Sequence, residues 1–408
     1  MTPGSHTMIR IEEETLPAFP MPRRCPYAPP PEYESLRDKA PLVRVSFRDG
    51  PPIWVVTRHA EARDVLTDRR ISTDPTRPGH PFAAMAGTAQ EQAGQFIDMD
   101  PPEHDVYRRM LAGEFSARRI RELGSFIQDV VNERIDEISR GREADLVESF
   151  AFPVATLVIC QLLGVPYKDR AYFQSRTSRM IAGFFSTEEA VRARAELWGY
   201  LDDLVTAAES SPGDDLIGRL ATERRATGEL SHDALVGMVF LLLVAGHETT
   251  ANMLSLGVFT LLQNPGALAA LRARPALWPD AVEELLRYHS IVDWVAFDRV
   301  ALEDIEIGGQ RVRAGEGLFV LGASANRDER AFASPDDFDI HRSARHHLAF
   351  GYGIHRCLGQ NLARAELEIG YRTLFERLPA LRIVGDVAAL PFKYDRRTFG
   401  LYRLPVAW

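Results

Sequence analysis

The sequence predicts a mainly α-helical fold with small β-sheets, and three observations carry that reading. Between about residues 59 and 290 most segments repeat apolar positions at helical period. Strand signals are short and confined to two places. One is the alternating pair around Asp49-Gly50 in LVRVSFRDGPPIWVVTRH; the other is the stretch 294–322, with IEIGGQRV as a hairpin. The most apolar segment, ALVGMVFLLLVAGHETTANMLSLGVFTLLQNP at 234–265, reads as one long helix that is apolar nearly all round and therefore buried.

Taken in chain order, residues 1–40 are a proline-rich, irregular lead-in, and residues 41–408 form a single domain. The first residues lack a charged-then-apolar signal layout and read as cytoplasmic. Residues 74–97 are loop-like, rich in Gly, Ala and Pro. DPPEHDVYRRML opens a helix, with Asp100 as N-cap, Pro101 at the first helical position and Glu103 completing a capping box. Ser231 caps the long apolar helix and Asn264-Pro265 ends it. At ~1.5 Å per residue it is roughly 45–50 Å long, enough to cross the domain. Its uninterrupted apolar run, Leu235 to Gly246, is too short for a membrane span, and His247-Glu248 sit at its centre.

Composition narrows the function. The chain has 408 residues and is 45% hydrophobic, enough for a large core. Its net charge of −9 does not suggest wholesale nucleic-acid binding. Cys25, Cys160 and Cys357 are few, odd in number and far apart, which argues against disulfides, zinc fingers and iron–sulfur clusters.

Two constellations carry chemistry. In AGHETT, His247-Glu248 would begin a zinc-protease motif, but position 251 is alanine and the second ligand is missing. Thr249 stands four residues after Ala245, so its hydroxyl can bond that carbonyl. With Gly246 beside it, this predicts a notch in the helix flanked by a hydroxyl and the Glu248 carboxylate. A second constellation, HHLAFGYGIHRCLGQNLARAELEIGY, places Cys357 among glycines just before a helix. A helix start favours a thiolate. Flanking glycines let backbone approach something flat.

The pattern Phe350-x-x-Gly353-x-His355-x-Cys357-x-Gly359 resembles the haem-binding signature of cytochrome P450 monooxygenases. AGHETT resembles the oxygen-activation segment of that family, and EELLR its Glu-x-x-Arg motif, with Glu284, Arg287 and then Arg342 as a structural triad. The resemblance runs from about residue 40 onward. It implies the P450 fold, with haem b between the long central helix and the cysteine-bearing loop and helix. It further implies Cys357 as the axial thiolate and His104, Arg108, Arg299 and His355 as propionate partners. Ala245, Phe350 and Gly351 then fall beside the cofactor, as does Gly359, and Glu248 and Thr249 deliver protons. Implied partners are O₂, a ferredoxin and its reductase, without membrane or nucleic acid, and the chain is expected to be a monomer. Arg108, Arg109, Arg118, Arg119, Arg121, Arg345, Arg356 and Arg364 mark the expected ferredoxin face. Phe82, Phe184, Phe185, Val244, Trp294 and Phe399 are the expected pocket wall, apolar with few fixed charges. The substrate is expected to be a lipophilic polyketide or macrolide of antibiotic-type metabolism; a generalist xenobiotic oxidase is the alternative. The acid–alcohol pair argues against a haem carrier or sensor.

Overall fold

A computed structural model describes residues 16–48, 50–83, 87–180, 182, 187–294 and 296–408. The described part of the lead-in, from residue 16, contains regular structure. β1 (Ala18–Phe19) pairs in parallel with β2 (Leu42–Phe47), and α1 (Glu32–Lys39) buries Tyr33 and Leu36. The prolines that made this stretch read as irregular end at the N-cap Pro31, where a missing N–H costs nothing. Acidic residues then fill the first turn of α1 and basic ones the last, matching the helix dipole.

β2 forms the expected hairpin with β3 (Ile53–Val56), in the register Leu42 to Val56 and Val45 to Ile53; Asp49 itself lies outside the described residues. β4 (Ile71–Ser72) and β5 (Glu143–Asp145) are short. β6 (Asp298–Ala301), the hairpin β7 (Ile305–Ile307) and β8 (Gln310–Val312), and β9 (Gly317–Val320) occupy the predicted strand-like region. Gly308 and Gly309, both at positive φ, make the two-residue turn of that hairpin. The main sheet runs β1-β2-β3-β9-β6-β4; β10 (Arg382–Ile383) and β11 (Pro405–Ala407) join β5 in a smaller one.

The helical part supplies the largest core. After α2 (His59–Thr67), a short α3 (Ala89–Gln92) sits inside the segment expected to be loop, capped by Thr88 and Glu91 in a capping box. α4 (Glu103–Ala112) begins two residues later than expected. Asp100 does not cap it: the carboxylate accepts from Ser72 Oγ and from the Thr73 N–H, and so ties the loop to β4. α5 (Ala117–Ile138), α6 (Phe152–Leu163), α7 (Arg170–Met180), α8 (Glu188–Ser210) and α9 (Leu216–Leu220) lead to α10 (His232–Gln263). α11 (Pro265–Ala273), α12 (Trp278–His289), α13 (Gly322–Ala325) and α14 (Gln360–Arg377) complete the set.

α10 is the predicted central helix. Ser231 Oγ accepts from the Ala234 N–H at 3.2 Å, and the helix stops at Asn264. By length and composition alone it would cross a membrane, but it is buried among α6, α8, α12 and α14. Glycines set how closely its neighbours approach. A Cβ on Gly246 would stand 2.8 Å from Ile159 Cδ1 of α6, and one on Gly257 would stand 2.1 Å from the Tyr371 hydroxyl of α14. Gly246 therefore serves packing. The space it leaves is filled by Ile159, and the helix is continuous through the expected notch.

Candidate active site

Cys357 is held by backbone. Its N–H donates to the Phe350 carbonyl at 2.8 Å, closing a loop in which Gly351 and Gly353 take φ of +69° and +73°. At Gly353 a Cβ would lie 2.4 Å from the Leu66 carbonyl oxygen, so only glycine fits. α14 begins three residues after the cysteine, with Gly359 as N-cap and open space where its Cβ would be. Solvent reaches Cys357. Burial raises its thiol; the Gly359 N–H and the Arg108, Arg364 and Arg356 guanidinium groups pull it back down. Cys160, by contrast, is buried and pushed up to about 12, and so is an inert core residue.

The middle of α10 departs from its buried surroundings. Ala245 is exposed, Val244 and Thr249 are half-buried, and Thr249 Oγ1 donates to the Ala245 carbonyl at 2.7 Å as expected. Glu248 points elsewhere. Its carboxylate accepts from Lys393 Nζ at 3.1 Å, and the same ammonium donates to Asn252 Oδ1 at 2.9 Å. His247 is buried, with Nδ1 2.7 Å from the Leu243 carbonyl.

A set of cationic and donor groups converges beside the Cys357 loop. The His104 and His355 rings lie 4.3 Å apart, and Arg108 donates to the Arg356 carbonyl. Arg299, only 3% exposed, donates to Thr73 Oγ1 and the Asp298 carbonyl. His104 is 1% exposed, yet its buried Nε2 finds no partner among the described residues. Burial, with Arg299, His104 and Arg108 adding to it, pushes His355 down to about 2. A buried polar atom without a partner and a histidine crowded by cations both suit an anionic guest. A thiolate beside a glycine-flanked loop suits a flat one that carries a metal. These residues fit a haem with its two carboxylates.

The family profile of cytochrome P450 matches residues 34–274 and 277–380. The chain is a cytochrome P450. It is 48% identical over 393 residues to pentalenic acid synthase of Streptomyces avermitilis, covering 96% of this chain and 97% of that one. It is 47% identical over 398 residues to 20-oxo-5-O-mycaminosyltylactone 23-monooxygenase of Streptomyces fradiae, covering 96% and 92%. The crystal structure of mycinamicin VIII C21 methyl hydroxylase from Micromonospora griseorubida, bound to mycinamicin VIII, superposes with a TM-score of 0.91 at 42% identity, covering 96% and 100%. The P450 fold expected from the sequence is thereby met, and the chain is a haem-thiolate monooxygenase.

The triad of this P450 is fully assembled. Arg287 and Glu284 have no exposed side-chain surface and form a two-pronged pair at 2.7 and 2.8 Å. Arg342 Nε reaches Glu284 Oε1 at 3.1 Å, and the Asp339 N–H donates to the same oxygen at 3.0 Å. Arg287 also donates to the carbonyls of Asn326, Pro335 and Asp337, pinning coil that lies between α13 and the Cys357 loop.

Among the residues expected as pocket wall, the described aromatics pack against neighbouring rings. Phe184 and Phe185 lie outside the described residues. Trp294 and Phe399 are each 4% exposed and packed into aromatic clusters. Trp294 lies edge-on to Phe19 and Phe319; Phe399 is stacked on Phe392 under Arg23. Phe82, half-buried, stacks on Trp294. Charged groups also stand close to the segments expected to form the pocket. Asp98, in the loop before α4, is pushed up to about 7 by burial and by Asp298. Asp298 in turn lies 3.3 Å from His80 Nε2, and burial outweighs Asp298 in lowering Arg397. Sequence reading missed this group because its members come from four separated segments with no motif. The one available signal was charged residues interrupting segments chosen for their apolar character.

The expected ferredoxin face is partly spent on structure. Arg364 binds both oxygens of Glu283, and Arg108 is engaged with the Arg356 carbonyl. Arg119 pairs with Glu122, and Arg345 with Asp280. Arg118 is exposed and lies 3.8 Å from Glu122, and Arg109 and Arg121 are exposed.

Proposed function

We propose that this P450 binds haem b, which the Cys357 thiolate would hold, with His104, Arg108, Arg299 and His355 receiving the propionates. Phe350, Gly351, Gly359 and Ala245 would lie against the ring. The observation that carries the assignment is the cysteine itself. It is reachable, it stands at a helix start, and a backbone N–H is directed at its sulfur, whereas Cys160 is sealed in the core. When bound, the cofactor supplies thiolate-assisted cleavage of O₂ and insertion of one oxygen atom into the substrate. This chain's own residues manage protons. The Thr249 hydroxyl, fixed by its bond to the Ala245 carbonyl, orients a proton donor, and Glu248 brings protons from solvent.

The substrate we infer is a polyketide or macrolide-like natural product. Relatives named for tylactone and mycinamicin chemistry support this, as does the mixture of apolar walls with Asp98, Asp298 and Arg397, which suits a lipophilic body bearing oxygen substituents. Electrons would come from a ferredoxin and its reductase to a soluble, cytoplasmic monomer. Two measurements test the reading. The reduced protein under carbon monoxide must give the strongly red-shifted Soret band of thiolate ligation; a histidine-type band refutes it. A panel titrated against the low-to-high spin shift must favour macrolides. Tight shifts with small terpenes or fatty acids alone would overturn the substrate class, and weak shifts with everything would indicate a generalist.

A further inference from the structure

Asp98 is open to solvent, yet the protein around it desolvates the carboxyl, and together with the charge of Asp298 this pushes it up to about 7. That combination marks a side chain facing an interior space rather than the outer surface. Among the described residues no hydrogen bond reaches the carboxylate. The backbone that carries it is fixed at both ends. Gln95 Nε2 donates to the Gly237 carbonyl of α10 at 2.6 Å, and a Cβ on Gly237 would stand 1.8 Å from the Ala93 carbonyl oxygen. At the other end Thr73 Oγ1 donates to the Ile97 carbonyl at 3.2 Å and accepts from Arg299 of β6. Asp98 is therefore held between the central helix and the strand that bears Asp298.

The cations that act on Asp98 are engaged elsewhere. Arg194 of α8 donates to the Glu91 carbonyl at 3.0 Å and lies 3.6 Å from the Glu91 carboxylate. Arg299 faces a propionate in the proposed cofactor site. His80 Nε2 lies 3.3 Å from Asp298, and Asp298 also draws the charge of Arg397. Two carboxylates thus share this space, and among the described residues one positive charge is lacking. His80 adds a second requirement. Its side chain has no exposed surface, and its Nδ1 accepts from the Phe82 N–H, which leaves the proton on Nε2. Despite its closeness to Asp298, that Nε2 finds no hydrogen-bond partner among the described residues. A buried donor in this state suits an oxygen acceptor supplied by a guest.

We propose that Asp98 and His80 form a subsite for a positively charged amine with an oxygen close beside it, the pattern of an amino sugar, and that Asp98 is a specificity-determining residue of this enzyme. The inference rests on the reading that these walls receive the substrate. The ammonium sits against the Asp98 carboxylate, the neighbouring hydroxyl or ether oxygen accepts from His80 Nε2, and the lipophilic body lies along the apolar walls. Asp298 stays with His80 and Arg397, and Arg194 with Glu91, so the guest supplies the one charge that the chain does not.

Binding to the holoenzyme tests this, with the carbon monoxide band as control for an intact site. The first probe is decyl choline ether, whose quaternary nitrogen neither ligates iron nor titrates. The second is its neutral isostere, in which carbon replaces that nitrogen. The third is tridecyltrimethylammonium, in which a methylene replaces the ether oxygen. Affinities are read from the spin shift, or by calorimetry where a probe binds without moving it. Wild type should prefer the choline ether over its neutral isostere about tenfold or more. That preference should grow from roughly pH 6 to 8, because the cation binds the ionised form of Asp98. It should vanish in Asp98→Asn, which removes only the charge. Tridecyltrimethylammonium should bind about threefold more weakly than the choline ether in wild type, and equally well in His80→Phe. A wild type without charge preference, or an Asp98→Asn variant that keeps it, would overturn the subsite. Equal binding of the choline ether and its methylene analogue in wild type would remove His80 from it. Tight spin shifts with macrolides but no charge preference in the probe pair would refute this subsite and leave the substrate class standing. Tight shifts with small terpenes alone, beside a charge preference that depends on Asp98, would do the reverse.

Discussion

Replacing Arg287 with alanine tests a fully buried polar cluster. The wild-type guanidinium makes two bonds to Glu284 and one each to the Asn326, Pro335 and Asp337 carbonyls, at 2.7–3.2 Å with no exposed surface. Removing one partner of a buried pair costs about 3–5 kcal/mol, because the other charge is left behind. Each stranded carbonyl adds about 1–3 kcal/mol unless water reaches it. Arg342 still touches Glu284, so the lower end of the first range applies to the carboxylate. The total is on the order of 5 kcal/mol or more, comparable with the entire stability of many domains. Arg287→Ala should therefore yield little soluble holoprotein. Arg342→Ala, at an 11% exposed position with one bond to Glu284, should cost clearly less. Arg287→Lys keeps the charge but loses the fork, and should fall between them. Denaturant midpoints and the yield of red-shifted carbonyl band per unit protein measure the order. An Arg287→Ala protein within about 1 kcal/mol of wild type would refute the reasoning, since that is the scale of an exposed pair.

Cys357→Ala should lose the thiolate carbonyl band entirely; its persistence would move ligation to Cys25 or Cys160. Thr249→Ala should still give substrate spin shifts but divert electrons to peroxide, with coupling down roughly tenfold; unchanged coupling on several substrates would give the role to water or Thr250. His289, buried and near Arg23 and Arg327, is pushed down to about 3 from 6.5. The unfolded chain therefore takes up the proton first, and stability is lost as pH falls from 6.5 toward 3. His289→Gln should flatten the pH dependence of the denaturant midpoint across that window, and an unaltered slope would show that other groups dominate. Electron transfer from a small acidic ferredoxin should slow about tenfold from low to high salt and lose that dependence in Arg109→Glu/Arg121→Glu; a flat salt response would place docking elsewhere.

Much of the fold was legible because its signals are local. Ser231, the apolar run and Asn264-Pro265 delimit α10 within one stretch, and Gly308-Gly309 sets a hairpin by itself. The cysteine loop was legible for the same reason, since glycine positions encode backbone shape directly. What escaped depends on distant partners. Asp100 looks like a cap, yet Ser72 and Thr73 claim its carboxylate. Gly246 looks like a notch until Ile159 from α6 fills it. Lys393 carries no motif and acquires meaning only when the hairpin folds back onto α10. Trp294 and Phe399 also take their places from distant partners, their rings packed against neighbouring aromatics.

The glycine contacts along α10 also bear on how such an enzyme acquires new substrates. With Ile159 seated at Gly246 and Tyr371 at Gly257, any side chain added on those faces collides with a neighbouring helix, and a sliding or rolling of α10 would do the same. The helix is thus a fixed rail against which its neighbouring helices are aligned. Freedom to accommodate a differently shaped molecule belongs to segments outside that rail, such as the hairpin tip at 394–398. Changes of specificity should accumulate there and leave the rail untouched.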